Sequence, residues 1–217
     1  MYTLIEFAAV ISGALYGVLL ARRHEMDFVG VFSLAFLVAF GGGTLRDLFL
    51  DRHPLFWIEN SHYAVIVFVL ALITSILPQL PDRVEHLLSI PDALGLGLFS
   101  LAGALAALDF GTTLFIAAIL GVVTGTFGGV MADIVCNRVP SLFRNAPLYA
   151  TCSFTGCWLL FLLRALNVEL VYALPSALVF IVGFRMLALK YNWRLPAAKP
   201  HQSCRDSQGP GTGRAEP

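Results

Sequence analysis

The chain has 217 residues, of which 58% are hydrophobic and only 13% charged, with a mean hydropathy of +0.78. An ordinary soluble domain carries roughly a quarter charged residues, so this composition argues against a soluble core and for a membrane domain. Lys plus Arg and Asp plus Glu number 14 each, and a net charge near zero gives no reason to expect nucleic acid or an acidic soluble partner.

A helix of about 18 or more apolar residues spans bilayer hydrocarbon. Seven hydrophobic spans follow in chain order: Leu4 to Ala21, Phe28 to Leu50, Tyr63 to Leu77, Ala93 to Leu108, Thr113 to Val135, Pro147 to Leu163 and Leu170 to Leu189. Arg22-Arg23-His24-Glu25 ends the first, and Pro78 to Pro91, with Asp82, Arg83 and Glu85, separates the third from the fourth. Pro140 precedes the sixth. After Leu195 the sequence turns polar and rich in Pro, Gly and Ser, a composition expected to stay disordered. No cleavable signal is expected, because Arg22 and Arg23 follow the first apolar run instead of preceding it. With the N-terminus outside, Arg22, Arg23, Arg83, Arg138, Arg144, Lys190 and Arg194 fall on the cytoplasmic side, against chiefly Arg52 and Arg164 outside. Seven spans and the charge bias therefore both predict an N-outside, C-inside inner-membrane protein.

An internal repeat organises the chain. Gly42-Gly43, Asp47 and Pro54 recur as Gly128-Gly129, Asp133 and Pro140, each pair 86 residues apart. The same offset pairs Glu6 with Asp92, Gly17 with Gly103, Trp57 with Phe143 and Tyr63 with Tyr149. A unit with an odd number of spans re-enters the membrane from the opposite side, so the expected fold is all-α and polytopic, with seven transmembrane helices: two inverted three-helix repeats plus a seventh helix. The expected divisions are residues 1–89, 90–166, 167–195 and a polar tail at 196–217.

Within the second span stands Gly41-Gly42-Gly43, and at the equivalent depth of the fifth stands Gly125-Thr126-Phe127-Gly128-Gly129. Three helical glycines cost about 2 to 3 kcal/mol relative to alanine. Paired glycine breaks in corresponding repeats point to a transport site, whereas packing through small residues, as at Gly13/Gly17 and Gly121/Gly125, explains them without one. Asp47 and Asp133 lie within a turn of the glycines, either facing a pathway or sitting hydrated at the interface and capping nearby backbone. Arg46 has two available partners, Asp47 or Asp133 across the repeat axis. Glu6 and Asp92 fall near span starts, where a carboxylate reads as a cap. No His/Cys/Asp spacing suits a metal, and no GxSxG, HExxH, P-loop or dinucleotide motif is present, so neither cofactor nor enzyme activity is expected.

The run Gly41-Gly42-Gly43-Thr44-Leu45-Arg46-Asp47-Leu48, followed by Pro54-Leu55-Phe56-Trp57 and a degenerate second copy, resembles the bacterial members of the trimeric intracellular cation channel family, also catalogued as a glycine-transporter family. The resemblance covers about residues 3–190. It implies a homotrimer in membrane lipid, with a path for monovalent cations, potassium foremost, between kinked second and fifth helices of each protomer. By the family pattern Gly41, Gly42, Gly43, Gly128 and Gly129 are the kinks, and Thr44, Arg46, Asp47, Thr126 and Asp133 the polar candidates beside the pore. The fourth span, apolar from Ala93 to Leu108, has no counterpart of the animal members' basic lipid-contacting motif. A secondary transporter of a small zwitterion such as glycine is the alternative, with Arg46 and Asp47 supplying opposite charges.

Overall fold

The computed structural model describes residues 2–77 and 85–196. Its helices are α1 (Tyr2–Arg23), α2 (Phe28–Phe49), a short α3 (Phe56–Glu59), α4 (His62–Ile76), α5 (Glu85–Asp109), α6 (Leu114–Val135), α7 (Ala150–Ala165) and α8 (Leu170–Lys190), with a 3-10 turn at Ser141–Phe143. By length and composition α1, α2, α5, α6 and α8 suffice to cross a membrane, and α4 and α7 are shorter apolar helices. These seven correspond to the seven expected spans. The expected disordered tail lies, from residue 197 on, outside the described residues, as do Asp82 and Arg83.

Local chemistry sets the ends of these helices. The Asp27 carboxylate accepts the Gly30 N–H at 2.8 Å before α2, and the Thr113 hydroxyl accepts the Ile116 N–H at 3.5 Å before α6. Each satisfies a donor that a helix start leaves open. Left-handed residues follow the helices, with φ of 53° at Glu25 and 89° at Gly111, then 49° at Asp51 and 53° at Asn137. Such residues end a helix by turning the chain back onto its last carbonyls. Accordingly the Arg52 N–H reaches the Asp47 carbonyl and the Arg138 N–H the Asp133 carbonyl, both at 2.8 Å. Every one of these features recurs at the 86-residue offset, so the repeat extends to caps and turns.

Pro91, expected as the edge of the fourth span, lies inside α5, which begins at Glu85. A proline in the opening turns forfeits a single helical hydrogen bond, and helix continues past it.

The two units meet where α2 crosses α6. A methyl group on Gly42 would run into the Thr124 carbonyl, and one on Gly128 would stand 2.5 Å from the Val38 carbonyl. Thr124 is the repeat counterpart of Val38, so the contact is reciprocal, as a two-fold relation requires. The expected breaks are corrected here: α2 and α6 are helical throughout. Gly42 and Gly128 let two backbones touch without ending either helix. Small residues do the same elsewhere, with Ala9, Ala14 and Ala21 of α1 and Ala104 and Ala107 of α5 fully buried. In lipid, where apolar contact alone gains little, close backbone approach is what holds helices together.

Candidate ion pathway

Two buried clusters of charge occupy equivalent places in the two units. In the first, Arg46 lies near the end of α2, where a helix dipole favours a cation. Its Nε and Nη2 stand 2.8 Å from Asp47 Oδ1, and its Nη1 stands 3.5 Å from Glu6 Oε1 of α1. The guanidinium lies 5.3 Å from the centre of the Phe56 ring. Asp47 Oδ2 accepts the Phe56 N–H at 2.9 Å, so one carboxylate binds both the arginine and the backbone of α3. Arg46 and Asp47 are 1% and 0% exposed, so breaking the pair strands a buried charge.

In the second cluster, Asp92 of α5 stands at the counterpart of Glu6, and the ring is that of Tyr149, the counterpart of Tyr63 and not of Phe56. Tyr149 donates its hydroxyl to Asp92 Oδ1 at 3.0 Å. Position 132, the counterpart of Arg46, is alanine, and the cation comes from Arg185 of α8. Its Nη2 is 3.4 Å from Asp92 Oδ2, and its Cζ is 4.5 Å from the centre of the Tyr149 ring. Its Nη1 donates to the carbonyls of Leu148 at 2.8 Å and Pro147 at 3.2 Å. The cap reading of Glu6 and Asp92 is thereby corrected, because both sit within their helices, in ion pairs with arginines.

Each cluster borders a cleft. Thr3 and Glu6 of α1, Arg52, Glu59 and Asn60 after α2, and Ala102, Ala106 and Asp109 of α5 enclose about 440 Å³. Tyr16 of α1, Val38 of α2, Asp92, Gly95 and Phe99 of α5, Thr124, Gly125, Gly128 and Gly129 of α6, and Tyr149 enclose about 20 Å³, room for about one water molecule. The first cleft takes the start of α1 and the end of α5, and the second takes the middle of α1 and the start of α5. Two openings thus lie in series along one antiparallel pair, roughly 15 Å of helix from Glu6 to Tyr16.

The residues singled out from sequence distribute as follows. Gly128 and Gly129 line the narrow cleft. Gly42 faces Thr124, Gly43 faces the Phe56 ring, and a methyl group on Gly41 would make only ordinary contacts, 3.7 Å from the Met131 side chain. Thr44 Oγ1 accepts Trp57 Nε1–H at 3.1 Å, and the Thr126 hydroxyl donates to the Val122 carbonyl at 2.8 Å. Arg46 is paired with Asp47, whereas Asp133 accepts the Ser141 N–H at 2.8 Å, a contact like that of Asp47 with Phe56 but one residue earlier in the loop. Sequence reasoning missed Arg185. A cation in the apolar run of α8 was the available signal.

The fold and the paired charge clusters define a helical polytopic membrane protein built on a duplicated three-helix unit. A profile described as glycine transporter matches residues 3–79 and again 89–165, the same 86-residue offset. The chain belongs to this family, the bacterial branch of the trimeric intracellular cation channels. It is 33% identical to the UPF0126 inner membrane protein YadS of Escherichia coli strain K12, over 84% of this chain and 89% of that one. It is similar to the trimeric intracellular cation channel orthologue from Rhodobacter sphaeroides, with 31% identity, a TM-score of 0.82 and coverage of 88% of this chain and 98% of that one. A structure described as the basis for conductance through such channels matches with 29% identity and a TM-score of 0.81, over 93% and 98% of the two chains.

Proposed function

We propose that the chain is a trimeric channel of the cell inner membrane that conducts monovalent cations, potassium among them, through a path in each protomer. The observation that carries this is the pair of clefts in series along α1 and α5, both lined by carboxylates: Glu6, Glu59 and Asp109 at the wide one and Asp92 at the narrow one. A carboxylate at each mouth of a narrow path concentrates cations and repels anions. The related structures, described as cation channels and one of them as trimeric, support the same reading. On this reading the path runs beside α2 and α6, with Gly128 and Gly129 at its wall, while Arg46, Asp47 and Asp133 hold the mouths in shape. The units divide near residues 89 and 166, and α8 stands outside the repeat.

The charge bias orients the N-terminus and the Glu6 mouth outside and the Asp92 mouth toward the cytoplasm. A cysteine introduced at Asp51 is then labelled from outside, and labelling from the cytoplasm alone reverses the assignment. The path itself is tested by Glu6→Gln and Asp92→Asn in potassium-loaded proteoliposomes. Each change lowers cation flux on the order of fivefold, the effect of about 1 kcal/mol of lost attraction for a nearby ion in water. If both variants assemble like the parent and pass potassium at its rate, the path lies elsewhere.

A further inference from the structure

The second charge cluster takes its cation from a helix outside the repeat. The carboxylates Glu6 and Asp92 correspond at the 86-residue offset, but Ala132 stands where the first unit has Arg46, and Leu142 where it has Phe56. Arg185 reaches from α8 to the equivalent location, near the carboxylate and over an aromatic ring, as Arg46 does. Both arginines are buried, at 1% and 8% exposure. Glu6 and Asp92 face the clefts, and the arginines stand behind them.

We propose that Arg185 is the positioning and charge-balancing residue for Asp92 at one mouth, as Arg46 is for Glu6 at the other, so that the two arginines set cation entry from opposite sides of the membrane. The inference rests on the channel reading. A guanidinium held behind each carboxylate offsets part of the negative potential felt by an arriving cation, and fixes the carboxylate against the wall. Neutralising one arginine deepens the potential at its own mouth only. Entry from that side then rises, and the current rectifies. Because the mouths are opposed, the two substitutions rectify in opposite senses, an outcome that the linear sequence and a purely structural role do not anticipate.

The test compares Arg46→Gln and Arg185→Gln in planar bilayers, with channels inserted from one side and their orientation checked by protease cleavage of an appended C-terminal tag. In 0.1 M KCl each variant rectifies by roughly twofold or more, with opposite polarity. In 1 M KCl the rectification collapses, because the screening length shrinks from about 10 Å to about 3 Å. Arg185→Lys, which keeps the charge, does not rectify, and Asp92→Asn rectifies opposite to Arg185→Gln. These last two carry the test if Arg185→Gln fails to assemble. Rectification of the same polarity in both glutamine variants overturns the proposal, as does its absence in normally assembled trimers or a rectifying Arg185→Lys. Absence of current from the unmodified protein in the same bilayers strikes the channel reading instead.

Discussion

Asp47 joins three parts of the first unit, since it holds Arg46 of its own helix, through it Glu6 of α1, and the backbone N–H of Phe56. Asp47→Asn keeps an oxygen for the Phe56 N–H but leaves the Arg46 guanidinium short of a counter-charge in a site 0% exposed. The expected cost is about 3 to 5 kcal/mol, the range for breaking a buried pair by removing one partner. A thermal unfolding series in detergent reads it directly. Asp133→Asn is milder, because Asp133 is only partly buried and its described hydrogen bond is to the Ser141 N–H. Equal destabilisation by the two substitutions would contradict the roles assigned to them. The pairing of Arg46 was open from sequence because adjacency along a chain does not fix side-chain direction. Glu6 and Asp92 read as caps because the span starts were placed at Leu4 and Ala93, whereas the helices begin at Tyr2 and Glu85. Hydropathy marks where chain meets lipid, and a helix extends beyond that line into polar sequence.

At the scale of elements, the crossing of α2 and α6 depends on Gly42 and Gly128, each seated against a carbonyl of the other helix. Helix propensity favours alanine at such positions by about 1 kcal/mol. Packing decides otherwise here, because the obstructing atoms are backbone and have no rotamer to change. Gly42→Ala and Gly128→Ala therefore destabilise, by roughly 1 to 3 kcal/mol as in other overpacked contacts, and lower the yield of assembled protein. Gly41→Ala, with 3.7 Å to a flexible methionine as its nearest contact, is tolerated. Size-exclusion profiles of the three variants check the order, and a normal Gly42→Ala beside a misfolded Gly41→Ala would refute it. The repeat, the spans and the importance of these glycines were legible because each leaves a period or a composition in the chain. What they touch was not, since a glycine at a break and a glycine at a crossing look identical in sequence. Arg185 escaped for a related reason: a search at the 86-residue offset is blind to α8, which has no counterpart.

For the whole molecule, duplication supplies a carboxylate at each end of the proposed path, Glu6 and Asp92, while the arginine at the second end comes from α8, and the tightly packed crossing of α2 and α6 lines the narrow end. The cleft beside Asp92 has room for about one water molecule, and the cleft beside Glu6 is far wider, so conduction requires the narrow end to open. Potassium permeation by a pore differs in kind from carriage by a transporter, which exposes its site to one side at a time. The most direct measurement is of unitary current from the purified protein in a planar bilayer between unequal KCl concentrations. The account predicts discrete openings whose reversal potential lies toward the potassium equilibrium value. Saturable, counterflow-competent uptake of a small solute such as glycine in proteoliposomes, without unitary currents, would contradict it.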